Sequence, residues 1–392
     1  MQFLFRPAFE LDAVAPDLRT EAVDPAARSR AGCATERWAS LFGEPRSRTA
    51  DFEDWHESAA RLFAAIDTGL PVHVLDRETA KAVRRFNTTR DPDPAAPTLF
   101  IGTHLRHDPF TRIRADGRSA WNMVWPVAGA STAANRYAGN PGFHAHAGRA
   151  VRTATFAPDS PEDGPDLRQA MMELARRGIT RQRVKIVAEA KYAEPVPIEL
   201  PPDPTPKQAD DALFEALEYA VIHLEGRPQA FLLQEDVEMR DEYRIVVIDG
   251  KPVAGAGCIE HLSPPFHDPI DGAFDPQVEE TRRSRRVRRD EILVDVYVDR
   301  ASLIAADMAK ADPQCRHMTI DLAHDGQGRI MMIEANPLDN YGIYAMDMRP
   351  VINAMVTLAR QPARESETVA AAATETARIG TTATRRSLGA AR

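Results

Sequence analysis

The stretch MTIDLAHDGQGRIMMIEANP, residues 318–337, constrains this chain more than any other of its length. Two runs of alternating character flank Asp325-Gly326-Gln327-Gly328, and a tight connection between antiparallel strands needs the positive φ that glycine supplies. On the first strand Met318, Ile320 and Leu322 point one way and Thr319 and Asp321 the other. On the return strand Met331, Ile333 and Ala335 oppose Met332, Glu334 and Asn336, because side chains alternate along a strand. One face is therefore apolar and belongs in a core. A register centred near Gly326 or Gln327 gathers Asp321, Glu334 and Asn336 on the other face, three oxygen donors suited to a hard divalent cation such as Mg²⁺. The same pattern also fits an ordinary half-exposed hairpin whose polar face meets water.

Upstream lies FLLQEDVEMRDEYRIVVIDGKPVAGAG, residues 231–257. An apolar strand runs into Gln234-Glu235-Asp236-Val237, and a second hairpin follows with Asp249-Gly250 at its turn, a strong short-range hairpin signal. Taken with IEANP, this order of motifs resembles the ATP-grasp superfamily over residues 166–360. The resemblance implies an α+β fold in which two subdomains clasp ATP, preceded by a small α/β domain. It further implies that Gln234, Glu235, Asp236 and Val237 meet the adenine, with a backbone donor and acceptor among 235–237, and that Glu242 lies near the ribose hydroxyls. Asp321, Glu334 and Asn336 would hold two Mg²⁺ ions that bridge the β- and γ-phosphates. Arg244 shares a strand face with Glu242, and its planar charge suits a phosphate or a developing acyl phosphate; a plain Glu-Arg pair on a sheet face is the alternative.

Lys185 and Lys191 stand in RVKIVAEAKYAEPVPI, which reads as a strand pair. In the resembled family such basic residues contact nucleotide phosphates across a flexible, often Gly-rich loop. Here that loop is missing or very short, which marks a divergent branch. Lysine occurs only at positions 81, 185, 191, 207, 251 and 310 among 49 basic residues, so two of the six fall in this one short region. Two surface lysines are the rival reading.

The reaction implied by the family is ligation, most often with formation of a carbon–nitrogen bond. A γ-phosphoryl group passes from ATP to a small-molecule or peptide carboxylate, and an amine or thiol attacks the acyl phosphate. Positioning and charge neutralisation carry such chemistry. Asn340, Tyr341 and Tyr344 follow the metal pair and are expected to line the acceptor side. Because the carboxylates of the hairpin stand close together, neutralising Glu334 is expected to leave the metal-free protein as stable as before or slightly more so.

Composition agrees with a globular chain of several domains: 392 residues, 43% hydrophobic, with a net charge of −9 that gives no overall attraction to nucleic acid or an anionic membrane. Three dispersed cysteines, Cys33, Cys258 and Cys315, suggest neither a disulfide framework nor a zinc cluster, and the reducing cytoplasm is the expected location. His144 and His146 share a strand face in this reading but lack a third ligand. No run reaches the length of a membrane span.

Along the chain, a first strand at residues 2–6 precedes an irregular stretch at 7–50. Residues 57–67 read as a helix, 72–75 as a strand, 78–86 as a helix and 98–101 as a strand, which defines an N-terminal α/β domain over 1–105. Residues 106–165 read as a variable insertion or substrate-covering segment. Leu167, Met171 and Leu174 stripe a helix ending at Gly178; residues 211–224 form an amphipathic helix; Asp299 is expected to cap another that carries Leu303, Ile304 and Met308 behind the hairpin. Residues 361–392, nearly devoid of large apolar side chains, read as a disordered tail. Two further functions are open: a kinase that phosphorylates its acceptor and stops, and a polyanion or nucleic-acid binder that uses the run RRSRRVRR between Arg282 and Arg289. Too few aromatics accompany that run for base stacking, and a solvated loop is its simplest role.

Overall fold

The computed structural model describes residues 1–6, 51–75, 82–85, 91–102, 122–127, 130–155, 166–186, 196–221, 230–259, 272–281, 283–338 and 341–361. Lys191, Asn340, Arg282, the stretch 7–50 and the tail from 362 onward lie outside the described residues, as do 103–121 and 156–165.

The first sheet is five-stranded, in the order β3-β2-β1-β4-β5. It comprises β1 (Gln2–Arg6), β2 (Val72–Leu75), β3 (Ala82–Arg85), β4 (Thr98–Gly102) and β5 (Met123–Trp125). β1 pairs in parallel with β2 and β4, and β4 with β5, while β3 runs antiparallel along the edge. The segment expected as a helix at 78–86 thus supplies an edge strand: Arg84 and Arg85 pair opposite Val74 and His73, and tertiary pairing overrides a short helical pattern. β5 comes from the segment expected as an insertion. Helix α1 (Asp51–Asp67) starts earlier than its apolar spacing suggested.

Two antiparallel four-stranded sheets follow. One runs β6-β9-β7-β8, from β6 (Val151–Thr155), β9 (Ala230–Glu235), β7 (Arg181–Ile186) and β8 (Val196–Glu199). Two short helices, α2 (Ala130–Asn135) and α3 (Pro141–His146), precede it in the chain. Helices α4 (Leu167–Arg176) and α5 (Pro206–Val221) cover this sheet with Leu167, Met171, Leu174 and Leu213. The other runs β11-β10-β14-β15, from β10 (Arg240–Ile248), β11 (Lys251–Gly257), β14 (Met318–His324) and β15 (Ile330–Asn336). A small hairpin of β12 (Gln277–Glu279) and β13 (Val287–Arg289) stands beside it. An α+β architecture behind a small α/β sheet is the one expected.

The second of these sheets is buried on both faces. Tyr243, Ile245, Ile320, Leu322 and Met332 pack against helix α6 (Glu291–Ala311) through Ile304 and Met308. Val246, Ile248, Ala254 and Ala256 pack against α1 and α7 (Met348–Arg360), which also meet Phe3, Phe5 and Leu99 of the first sheet. Helix α6 begins eight residues before the expected cap: Asp290 accepts the Leu293 N–H at 3.0 Å, and Asp299 is interior. Ile292 and Leu303 are exposed, which blurred the amphipathic pattern. Among the described residues no helix is long and apolar enough to cross a membrane.

Backbones approach closely where α3 crosses α6. The Asn140 side chain caps α3 by accepting the Gly142 N–H at 2.8 Å and donates to the Met308 carbonyl at 3.1 Å. A Cβ on Gly142 would lie 2.6 Å from the Met308 backbone nitrogen. Gly142→Ala should therefore force two backbones apart and lower unfolding stability by about 1–3 kcal/mol. A urea titration measures it, and an unchanged midpoint would show that the crossing has slack.

Candidate active site

The turn of the β14–β15 hairpin forms as its sequence demands, with Gly326 and Gly328 at φ of 78° and 88°. From it the register runs His324 opposite Ile330 to Leu322 opposite Met332, then shifts by one so that Asp321 faces Glu334 and Thr319 faces Asn336. Ile333 is the extra residue of this bulge. The alternation drawn from the sequence is thereby corrected: Met332 and Ala335 enter the core together. Ile333 does not. Downstream of the bulge Glu334 and Asn336 come to the face of Asp321, and Asn336 Nδ2 donates to Glu334 at 2.9 Å and to Asp321 at 3.4 Å.

β10 brings Arg244 opposite Asp321. Its guanidinium makes a two-pronged contact, Nε to Oδ1 at 2.7 Å and Nη2 to Oδ2 at 2.6 Å, and Asp321 is fully buried. Nη2 also stands 3.8 Å from Glu334. From the facing sheet Lys185, on β7, reaches across to pair with Glu334 and holds its ammonium 5.9 Å from the centroid of the Tyr137 ring. Burial pushes the Glu334 carboxyl up, but Lys185 and Arg244 outweigh it and hold it down at about 2. Burial lowers the Lys185 ammonium less than Glu334 and Tyr137 raise it. Tyr137 is buried beside the Lys185 ammonium, and burial raises its pKa.

These cations change one expectation. The carboxylates of the hairpin are matched by Lys185 and Arg244, so no uncompensated repulsion remains to be relieved by neutralising Glu334.

In the stretch 234–237 at the end of β9, the Glu235 N–H donates to the Ala150 carbonyl at 2.8 Å and the Asp236 N–H to the Arg181 carbonyl at 3.0 Å. The Asp236 carboxylate is held by Arg181 at 2.8 Å. Gln234 accepts from Arg149 at 2.6 Å, and the same guanidinium donates to the Met332 carbonyl at 2.9 Å. Arg149 therefore staples one sheet to the other, and burial lowers its pKa to about 10. Of the amides at 235–237, Val237 is the one outside these bonds. Glu242 stands in a group with Cys258 and Asp321 whose candidate ligand atoms lie within 4.8 Å of one another.

Sequence reasoning missed Arg149, Tyr137 and Cys258. The last was within reach, since the Asp249-Gly250 turn sets a register in which Glu242 lies beside Cys258, to within the one-residue bulge. Tyr344 places its ring 5.2 Å from the Arg244 guanidinium. Tyr341 lines an apolar recess with Phe100, Trp125, Leu338 and Met355 at the carboxyl ends of β4 and β5. His144 and His146 sit on helix α3, not on a strand; His146 pairs with Asp307 and His144 with the Ala138 carbonyl.

No family model matches the chain, and no curated protein matches it in sequence. Solved structures do resemble it. It is similar to D-cycloserine synthetase DcsG, at 14% identity and a TM-score of 0.45 over 92% of this chain and 99% of that one. It is similar to the ATP-grasp ligase PsnB complexed with its minimal precursor, at 15% and 0.38 over 91% and 98%. It is also similar to the D-alanine-D-alanine ligase from Coxiella burnetii, at 11% and 0.45 over 96% and 99%. Identities and TM-scores this low leave the chemistry to be derived from this chain's own side chains.

A carboxyl held at about 2 from an ordinary 4.5 contributes stability above pH 4.5, and that contribution is lost as pH falls toward 2. Glu334→Gln leaves Lys185 buried without its partner, so it should cost about 1–3 kcal/mol at neutral pH. The gap to wild type should narrow between pH 4.5 and 2, the window set by the Glu334 shift. Chemical melts of both proteins across that range measure it; a variant as stable as wild type at pH 7 would show that the Lys185 contact carries no weight.

Proposed function

We propose that the chain is an ATP-grasp ligase that activates a carboxylate as an acyl phosphate for attack by an amine or a thiol. One observation carries the reading: two cations from two different sheets, Lys185 and Arg244, converge on the carboxylates of one hairpin, Asp321 and Glu334, with the Asn336 amide between them. Buried charges are costly, and a cluster of five polar groups held between two sheets is the kind of feature that marks chemistry.

The donor set fits a hard cation. Asp321, Glu334 and Asn336 offer oxygens, the ligands Mg²⁺ prefers, and Asp321 Oδ1 and both Glu334 oxygens each accept a single hydrogen bond and keep a lone pair. These residues would hold Mg²⁺, which when bound would neutralise charge on the ATP phosphates. Lys185 and Arg244 supply fixed positive charge beside the same carboxylates, where a transferring phosphoryl group gathers negative charge. The hinge at 235–237 would take the adenine, with the Val237 amide as the available donor. The recess lined by Tyr341, Trp125 and Leu338 lies at the carboxyl ends of parallel strands, where open α/β sheets take their ligands, and would receive the acceptor side of the substrate.

ADP release measured across pairs of carboxylates and amines tests this. A ligase releases ADP in step with amide formation and needs both partners, whereas a stable phosphorylated product with the carboxylate or alcohol alone would establish a kinase. Lys185→Met should cut turnover about tenfold or more, equivalent to about 1.4 kcal/mol of lost interaction. Unchanged kinetics would remove Lys185 from the site.

A further inference from the structure

Two charged residues that the proposed chemistry does not use are buried on the opposite side of Arg244. Glu57 and Arg61 lie one turn apart on α1, 5% and 4% exposed, and pair at 3.1 Å. Their neighbours Leu62, Phe63 and Ala65 are core residues. A buried ion pair is weak evidence for stability, since apolar residues of similar volume often serve as well or better. What distinguishes this pair is what else it touches. Glu57 Oε1 accepts the Ile343 N–H at 2.7 Å, and Arg61 Nη2 donates to the Tyr341 carbonyl at 2.8 Å. Between those two grips, the Gly342 carbonyl accepts from Arg244 Nη1 at 3.1 Å.

The loop at 341–343 is therefore read by α1 on one side and by Arg244 on the other. It is thin where the two meet: a Cβ on Gly342 would lie 3.4 Å from Glu57 Oε1 and 3.5 Å from Arg244 Nη1. Directly after it, Tyr344 takes φ of +48°, a conformation that non-glycine residues adopt when their surroundings impose it. That turn sets the Tyr344 ring beside the Arg244 guanidinium, and the buried Cys258 lies next to Tyr344, whose pKa it raises.

We propose that Glu57 and Arg61 are positioning residues for the reaction centre: they fix the backbone of 341–343 so that Gly342 and Tyr344 hold the Arg244 guanidinium in register with Asp321. The function of this clamp rests on the ligase reading, whereas its mechanics do not. It joins the N-terminal α1 to the Arg244–Asp321 pair through backbone groups.

The test pairs turnover with a chemical probe of the loop. In Glu57→Gln the Ile343 grip weakens and Arg61 loses its counter-charge. ADP release from Mg²⁺-ATP should fall about tenfold per folded molecule, while the affinity for a non-hydrolysable ATP analogue, measured by calorimetry, changes less than about threefold because the hinge is untouched. Iodoacetamide labelling followed by peptide mass spectrometry should show Cys258 modified several-fold faster, with the equally buried Cys315 unchanged. The double variant Glu57→Gln/Arg61→Met, which leaves no buried charge unmatched, should fold and show the same selective labelling. Parallel acceleration at both cysteines, or wild-type labelling at Cys258 in both variants, would overturn the clamp and leave a structural ion pair. If wild type releases no ADP with any carboxylate–amine pair the ligase reading fails, and the labelling still decides whether the clamp exists.

Discussion

Everything in the cleft is arranged about the buried contact between Arg244 and Asp321. Two unit charges have been taken out of water at 2.6 and 2.7 Å, and such a pair persists only if geometry and further hydrogen bonds offset the loss of hydration. The structure supplies both. Strand register places the residues opposite each other on β10 and β14, so neither has to reach. The remaining guanidinium nitrogen is taken by the Gly342 carbonyl, the ring of Tyr344 lies beside the group, and Asn336 contacts the carboxylate. Once the pair is set, Glu334 comes with it across the ladder and draws Lys185 from the other sheet.

That second sheet needs a tie of its own. Lys185 is a flexible side chain and would fix little by itself. Arg149 makes the rigid connection, since its planar guanidinium holds Gln234 on β9 and the Met332 carbonyl on β15 at once. The hinge and the hairpin are thereby connected by one buried residue, and the helices behind each sheet supply apolar support without entering the cleft.

What the sequence disclosed, it disclosed through local period. The turn at Gly326 and Gly328 announces the hairpin, and alternation marks Asp321, Glu334 and Asn336 as its polar positions, but it is the bulge at Ile333 that brings Asp321 opposite Glu334. The bulge at Ile333 was invisible because alternation carries no record of an inserted residue, and without it Asp321 would lie opposite Ile333. Longer-range features were not legible. Arg61 meets Tyr341 across 280 positions, and nothing near either residue announces the other. The same holds for Lys185 and Glu334, and this is why a cluster judged from its carboxylates alone was taken to repel itself. Helix α6 and strand β3 were misjudged for a different reason: exposed Ile292 and Leu303 blur one amphipathic pattern, and pairing at a sheet edge overrules the other.

The account stands or falls on whether Arg244 and Asp321 act as one unit. A double-mutant cycle in urea, with Arg244→Met, Asp321→Asn and the pair together, measures that directly. Removing one partner strands a buried charge, so each single change should cost about 3–5 kcal/mol, and the double variant should cost no more than either. Additive losses, with the double variant destabilised by the sum of the two, would show that the residues are merely neighbours and that the cleft is organised by something else.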